Sequence, residues 1–268
     1  YATMISGALF AVWIPAAEKL INELSTIAVF HAHTPMLAHT HGQPATPTTV
    51  GKELMVYIYR MRKSLENIKS IKIYAKFNGA TGNYAAISVA FPNDNWQVLS
   101  KTFIQDYLGL NFNPITTQIE SHDYICHIAD GIRHFNNVLL DFDVDMWLYI
   151  SMEYFKQLVV STEVGSSTMP HKVNPIRFEN SESNIDMSNA IFTALSNKLP
   201  RSRMQRDLSD SSSQRNRGKN ISKEAIHDFI KSLDMLSDED KSTLLNLTPS
   251  DYVGLASKII ADNSKILF

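Results

Sequence analysis

Apolar residues recur at spacings of three and four from about residue 122 to residue 161, and this pattern constrains the fold more than any other feature. The repeated positions are Ile125, Ile128, Ile132, Phe135, Leu139, Phe142, Met146, Tyr149 and Met152. Such spacings place one continuous apolar seam along a side of an α-helix. The run contains no proline, and Gly131 is its one glycine. We therefore expect a single helix from His122 to Ser161, roughly 60 Å long at about 1.5 Å per residue.

A helix of that length is too long for the core of a small globular domain. Trp147, Leu148 and Ile150 add apolar surface beside the seam, so we expect this helix to be buried on more than one side. The sequence thus predicts a bundle of long helices shared between subunits.

The rest of the chain also follows helical periodicity, and strand-like alternation is nearly absent. The fold class expected is all-α. The polar stretch His31–Pro47 is expected to be largely non-helical, and 77–94, 109–121 and 162–175 are expected to be connections. The further helices predicted are 1–30, 49–76, 95–108, 176–199, 223–232, 238–245 and 250–262.

Composition narrows the functional classes. Lys and Arg number 25 and Asp and Glu 27, so nothing in the charge balance favours a nucleic-acid or membrane-surface binder. No segment is expected to reach the roughly 18–20 apolar residues that span a bilayer; Gly7–Ala17 is the longest candidate. Cys126 is the one cysteine, which rules out an intrachain disulfide and favours a reducing, cytoplasmic setting.

The first of three chemically distinctive polar stretches is His39–Pro47. Histidine exchanges protons near neutral pH, so these residues suit acid–base catalysis. Exposed histidines in an ordinary turn explain the stretch equally well. His31, His33, His39 and His41 also form two His-x-His pairs, but no carboxylate or thiolate ligand lies among them, so a metal site is the weaker interpretation.

The second stretch is Gly165–Pro175, with small residues at its start followed by Met-Pro-x-Lys-x-Asn-Pro. Its serines are candidates for nucleophile, base or hydrogen-bond donor, and Lys172 brings a positive charge nearby. A serine acts as a base only where cations or backbone N–H groups stabilise its alkoxide. Two prolines with a cation and an amide at fixed offsets make an ordinary serine-rich loop the weaker interpretation.

The third stretch, Arg201–Arg215, interleaves arginines with hydroxyl residues. Guanidinium groups beside hydroxyls suit a phosphate or carboxylate, although a solvated charged segment is the more common explanation of such a run. Asp207 and Asp210 lie within it, which disfavours nucleic-acid binding.

Together the three stretches resemble the fumarase/aspartase superfamily, whose signature is similar to Gly165–Pro175. The adenylosuccinate lyase branch is favoured by several other stretches. These are 40–47 followed by 51–53, 78–84, 116–124, 178–182 and 205–211. The likeness runs from residue 1 to about 216 and again through 247–254, and it is greatest with the bacterial long forms. It implies the superfamily's helical bundle and a homotetramer around a central bundle, with each active site built from three subunits.

Two departures from this family concern missing segments. Family members begin with a further N-terminal region that supplies a Thr-Ser-x-Asp-type motif, and they carry a long helical insertion near Asn216-Arg217. We therefore expect the sequence to be an incomplete version of a longer protein. Its expected domains are a helical-bundle domain, 1–200, containing the signature loop 162–175, and a remainder, 201–268, with the rest of the phosphate-binding segment and an incomplete C-terminal helical domain.

The resemblance implies β-elimination of fumarate from adenylosuccinate, giving AMP, and from the succinylated aminoimidazole carboxamide ribotide, giving AICAR, in purine biosynthesis. By motif, Ser166 is the general base, His41 the general acid, and Glu179 orients His41. The implied substrate-binding residues are Thr40, Gln118, Lys172, Asn174, Asn180, Arg206, Ser211 and Arg215. No cofactor or metal is implied. An argininosuccinate lyase-like enzyme and a non-catalytic helical scaffold remain the alternatives.

Overall fold

The computed structural model describes residues 1–158, 168–169, 173–202 and 223–266. The described chain is predominantly helical, which confirms the all-α class. It divides into two compact units, the first formed by 1–73 with 122–200 and the second by 74–121 with 201–268. The predicted domain division at residue 200 stays a prediction.

The described residues contain ten α-helices and four short strands, joined by turns and loops. The helices are α1 Ala2–Ala8, α2 Ile14–Phe30, α3 Val50–Lys69, α4 Ala85–Ala90, α5 Trp96–Thr102, α6 Asp123–Ser151, α7 Ile176–Lys198, α8 Lys223–Lys231, α9 Asp238–Asn246 and α10 Ala256–Asp262. Wider π-helical turns, Leu9–Trp13 and Phe103–Tyr107, join α1 to α2 and extend α5. The strands are β1 Pro35–Thr40, β2 Gln43–Thr49, β3 Tyr74–Ala75 and β4 Asn111–Phe112.

Helix α6 is the central helix of the first unit, and its seam is confirmed. The buried seam residues are Ile125, Ile128, Ile132, Phe135, Phe142 and Met146. The predicted length was wrong, because α6 ends at Ser151 after 29 residues, about 44 Å. Beyond it Glu153 adopts a left-handed backbone, φ 62°, and the N–H of Tyr154 bonds to the carbonyl of Tyr149 at 2.8 Å, which turns the chain out of the helix.

Helix α3 packs against α2 on one side and α6 on another. It begins where Thr49 Oγ1 accepts a hydrogen bond from the N–H of Lys52, a side-chain cap that satisfies a free helix donor. Met61 and Ile68 are fully buried. The helix ends at Lys69 rather than near residue 76, because the chain beyond it pairs as β3 with the distant β4.

Polar contacts set the alignment of α3 with its neighbours. The Tyr57 hydroxyl donates to Asp145 on α6, and burial together with that carboxylate raises the pKa of Tyr57 well above its usual value. Gly131 of α6 lies so close to α3 that a Cβ there would stand 2.8 Å from Ile68 Cγ1. A larger residue at this position would force the side chain of Ile68 to move.

Strands β1 and β2 form an antiparallel hairpin in the stretch that the sequence marked as non-helical. Its two turn residues both have positive φ, 54° at His41 and 71° at Gly42. This is the two-residue turn whose twist matches that of paired strands. The non-helical prediction is confirmed, but the strands were missed.

One helical run among the described residues, Ala2–Phe30, is long and apolar enough to cross a membrane by length and composition alone. The expectation that no segment reaches this length was wrong, because it counted only uninterrupted apolar residues. The core helix of a folded domain passes the same test, and the buried face of α2 contributes here to the core of the first unit. It comprises Ile14, Ala17, Ile21, Leu24 and Ala28.

Candidate active site

Three segments meet at one end of the first unit: the β1–β2 hairpin, the C-terminal end of α6 and the N-terminal end of α7. The Tyr154 hydroxyl, just after α6, donates to the carbonyl of Leu37 at 3.3 Å, and its ring centroid lies 5.7 Å from that of His39. On α6, Trp147 Nε1 donates to Glu179 Oε1 of α7 at 3.2 Å. The hairpin that carries His41 and the helix that carries Glu179 are thus placed at the same end.

The signature loop starts and finishes at this end as well. Gln157 Nε2 donates to the carbonyl of Val173 at 3.3 Å, so the chain entering the loop lies beside the chain leaving it. Several predicted site residues lie outside the described residues. They are Ser166 and Lys172 in the loop, and Arg206, Ser211 and Arg215 in the arginine-rich stretch.

His41 occupies the tip of the hairpin and is exposed. Its left-handed backbone makes it one of the two residues that turn the chain, so its position follows from the hairpin geometry. Within residues 1–158, 168–169, 173–202 and 223–266, the structure records no hydrogen bond to its ring. The predicted role of His41 as the general acid stays a prediction.

Glu179 lies in the first turn of α7. The unpaired N–H groups at a helix N-terminus favour a negative charge there, so this position suits an ionised carboxylate. Its recorded partner is the Trp147 indole, not His41. The predicted role of Glu179 in orienting His41 therefore stays a prediction.

The neighbouring polar residues surround the same start of α7. Asn174 is half-buried just before the helix, and Asn180 is exposed one residue after Glu179. The ring of Phe178 packs on Phe142 of α6, with centroids 6.3 Å apart, which fixes the first turn of α7. Thr40, at the end of β1, is exposed next to His41.

Gln118 belongs to the second unit. Its backbone carbonyl accepts a hydrogen bond from Lys76 Nζ at 2.8 Å, and the same ammonium donates to the carbonyl of Gly79 at 3.0 Å. Burial lowers the pKa of Lys76. A Cβ at Gly82 would lie 2.0 Å from the carbonyl oxygen of Thr116, so the two motif segments 78–84 and 116–124 come into direct backbone contact there.

Sequence reasoning missed two site-end residues of α6, Trp147 and Asp143. Asp143 is 3% exposed, and its Oδ2 has no hydrogen-bond partner among the described residues. Burial raises the pKa of Asp143 to about 6; a hydrogen bond with Ser181 opposes that rise and the charge of Glu182 adds to it. The available sequence signal was that Asp143 directly follows the seam residue Phe142. An aspartate beside buried apolar positions is unusual unless a specific partner or function requires it.

The described residues contain no group of three or more His, Cys, Asp or Glu side chains placed to hold a metal ion. The absence of a metal from the reaction stays a prediction.

Comparison with known proteins decides the family. A profile of the lyase family matches residues 2–188. The adenylosuccinate lyase of Buchnera aphidicola subsp. Acyrthosiphon pisum is 40% identical over 324 residues, taking in 97% of this chain and 71% of that enzyme. That of Legionella pneumophila strain Corby is 48% identical over 261 residues, taking in 97% of this chain and 57% of that enzyme.

The chain belongs to the adenylosuccinate lyase family.

Two solved structures share the fold of this family. The 3-carboxy-cis,cis-muconate lactonizing enzyme from Pseudomonas putida is 25% identical with a TM-score of 0.60, over 78% of this chain and 44% of that one. A class II fumarase from Schistosoma mansoni is 19% identical with a TM-score of 0.58, over 77% and 48%. The predicted fumarase/aspartase fold is thereby confirmed.

The Buchnera enzyme also holds residues that this chain lacks. Its alignment extends over 324 residues, against 268 in the chain. The prediction that the sequence is shorter than its family members is confirmed, and the location of the internal shortfall near Asn216-Arg217 stays a prediction.

Proposed function

We propose that the protein releases fumarate by β-elimination from adenylosuccinate, giving AMP, and from the succinylated aminoimidazole carboxamide ribotide, giving AICAR. The observation that carries this proposal is the match to adenylosuccinate lyases at 40–48% identity over 97% of the chain. Both substrates place a succinyl group on a nitrogen of a nucleotide, so one site serves both reactions.

The proposed chemistry divides the reaction between two groups in opposite protonation states. Ser166, as an alkoxide, removes a proton from the carbon beside a succinyl carboxylate. The electrons of that C–H bond form the double bond of fumarate, the C–N bond breaks, and the His41 imidazolium gives its proton to the departing nitrogen. Lys172 and Asn174 stabilise the negative charge that develops on the carboxylate.

The remaining residues bind the substrate. Thr40, Gln118 and Asn180 donate or accept hydrogen bonds to the succinyl group and base. Two forked guanidinium groups beside a hydroxyl match a phosphate dianion, which is the role proposed for Arg206, Ser211 and Arg215. The reaction requires no cofactor, and we place it in the cytoplasm.

We further propose that the active site is shared between copies in a homotetramer. His41 lies at an exposed tip, and no hydrogen bond to its ring is recorded among the described residues, so a carboxylate of another copy has access to it. Exposed apolar side chains near the C-terminal end of α6 support such packing: Val144, Trp147 and Leu148, within about one turn of one another, are 41%, 39% and 43% exposed.

The roles of Ser166 and His41 are tested by Ser166→Ala and His41→Ala in the full-length protein. Each should lower fumarate release from adenylosuccinate by about 10²–10⁴-fold, the usual contribution of a general acid or base, with the tetramer intact by light scattering. Near-normal turnover by either variant would contradict its assigned role.

A second experiment tests whether each active site is shared between copies. If Ser166 and His41 of one site come from different copies, tetramers mixed from the two inactive variants contain some sites with both residues intact and should regain part of the activity. Mixed tetramers that stay inactive would place both residues in one chain.

The two alternative functions predict different results in the same assays. Faster fumarate release from argininosuccinate than from adenylosuccinate would identify a sister lyase. A non-catalytic scaffold would release no fumarate and show no saturable binding of AMP by calorimetry.

A further inference from the structure

The contact between α6 and α7 is largely polar. Ile185 is the one buried residue of α7. Asn136 Nδ2 donates to Asn189 Oδ1 at 3.0 Å, and farther along the pair Ser196 Oγ donates to Asp130 Oδ1 at 2.9 Å. Hydrogen bonds are directional, so this series of bonds fixes the position of α7 along the axis of α6. Apolar contact alone does not fix that position.

The last hydrogen bond of this series, at the end of the helices that carries the candidate site, runs from Trp147 Nε1 to Glu179 Oε1 and is 3.2 Å long. Asp143 lies one helical turn earlier on the same face of α6, against Ser181 and Glu182 of α7. Trp147 therefore joins the predicted catalytic carboxylate to α6, the central helix of the unit. No hydrogen bond to the second oxygen of Glu179, Oε2, is recorded within the described residues, so that oxygen is available to a further group.

The chemistry of the donor matters as much as its position. An indole N–H donates but carries no charge. It fixes one oxygen of Glu179 without neutralising the carboxylate, whereas a lysine or arginine at position 147 would form an ion pair and compete with an imidazolium for the same negative charge. A neutral donor is the arrangement that both holds a carboxylate and leaves its charge available.

We propose that Trp147 is a positioning residue of the active site, whose indole N–H holds Glu179 so that its second oxygen receives the imidazole of His41 from another copy. This inference rests on the proposed function, since it acts through the role assigned to Glu179. Trp147 itself touches no reacting atom.

The test is Trp147→Phe in the full-length protein, which removes the N–H and keeps an aromatic ring. Loss of a hydrogen bond to a charged group costs about 1.5 kcal/mol or more, so kcat should fall about tenfold, with KM for adenylosuccinate changed less than about twofold. The matched control is Trp96→Phe in the second unit, where Nε1 donates to the carbonyl of Phe91 at 3.0 Å. It removes a bond of the same kind and should leave kcat within about twofold.

A double-mutant cycle separates positioning from simple packing. In a Glu179→Ala background the N–H of Trp147 has no carboxylate to hold, so Trp147→Phe should cause no further loss of kcat. Losses that multiply in the double variant, or a wild-type kcat for Trp147→Phe alone, overturn the proposal. If Trp147→Phe does not assemble, replacement of Trp147 by β-(3-benzothienyl)alanine, which keeps the bicyclic shape without the N–H, gives the same comparison.

A spectroscopic readout is independent of turnover. The indole ¹⁵N–¹H resonance of Trp147 should move when Glu179 is changed to Ala, while those of Trp13 and Trp96 stay in place; an unmoved Trp147 resonance also overturns the proposal. Failure of the Trp147 proposal can be distinguished from failure of the proposed function. Full activity of Glu179→Ala, with Ser166→Ala still inactive, removes the Trp147 proposal alone, whereas a wild-type protein that releases no fumarate removes the proposed function and Trp147's part in it together.

Discussion

Helix α6 packs against α3 on one side and α7 on another, and the two contacts are built differently. The α3 side buries a continuous row of large apolar side chains, among them Met61 and Ile68 at 0% exposure. The α7 side buries Ile185 and packs Phe178 on Phe142, and along the rest of its length it is held by hydrogen bonds between polar side chains. Polar contacts also join α3 to α6, at Tyr57–Asp145 and Arg60–Asp141, so the two faces differ in the proportion of apolar burial to hydrogen bonding.

The difference separates stability from alignment. Apolar burial contributes free energy in proportion to area and tolerates small displacements. Hydrogen bonds contribute less net free energy, but each holds two atoms at one distance and angle. We infer that α3 provides most of the stability of the unit, and that α7, which carries Glu179 and Asn180, is placed by its polar contacts.

The largest effect is expected on the apolar side, from Ile68→Ala. Ile68 is fully buried against α6, and removal of its side chain should lower the free energy of unfolding by about 3–4 kcal/mol. Ile68→Val is the graded control, at about 1 kcal/mol. Denaturant unfolding at one fixed protein concentration measures both, since assembly couples to stability. A loss below about 1 kcal/mol for the alanine variant would mean that this contact is not the main source of stability.

A smaller effect is expected on the polar side, where two neighbouring asparagines bond to the same partner. Asn136 is 9% exposed and donates to Asn189 at 3.0 Å, while the exposed Asn137 accepts from Asn189 at 3.0 Å. Asn136→Ala removes a buried amide and leaves the half-buried acceptor of Asn189 without its donor, which should cost about 2 kcal/mol, whereas Asn137→Ala exposes its partner to water and should cost less than about 0.5 kcal/mol.

This pair of variants also tests the role in alignment. Asn136→Ala should lower kcat more than Ile68→Val does, although the two are of similar order in stability. Equal kcat values for these two variants would remove the distinction between the faces.

The smallest effect is expected from Asp143→Asn, and it depends on pH. The pKa of Asp143 is raised in the folded state from 3.8 to about 6, so between about pH 4 and pH 6 the folded protein holds a proton that the unfolded chain has lost. Stability contributed by Asp143 is therefore full below pH 4 and is lost as the pH rises through 6. At pH 7 the pKa shift by itself corresponds to about 3 kcal/mol. The asparagine amide must also be buried, which offsets part of this, so the variant should be more stable than the wild type by about 1 kcal/mol.

That gain should shrink as the pH falls from 6 to 4, where the wild-type carboxyl becomes neutral as well. Urea unfolding of both proteins at pH 4.5 and pH 7 makes the comparison. A stability difference that is independent of pH would show that Asp143 does not carry the buried charge.

The seam of α6 could be predicted from sequence because its apolar spacing is a property of the helix itself. Its end could not. Residues 152–161 contain no glycine or proline, and the helix stops because Glu153 takes a left-handed backbone that only the surrounding fold imposes. The β1–β2 hairpin was missed because its register shifts between Leu37 and His39, which breaks the alternation that predicts strands. The glycine after His41 was the remaining signal.

Of the site, sequence reasoning identified residues in contiguous motifs and missed those defined by contact. Trp147 and Glu179 are 32 positions apart, and Lys76 is 42 positions from Gln118. Neither distance has a periodic signature in the sequence, so Trp147 was predicted as apolar surface beside the seam and Lys76 as the end of a helix, and neither was predicted as a contact of the site. Such residues become visible only when the fold places two distant helices or loops side by side.

The hydrogen bond between Gln157 and Val173 has a consequence for engineering. Because it joins the two ends of the signature loop, the connecting segment can change in length with little effect on the helices before and after it, and closing a longer or shorter loop across a fixed gap alters the free energy only logarithmically. Changes in the length of this segment would therefore act on the proposed residues Ser166 and Lys172 rather than on the helices that flank it.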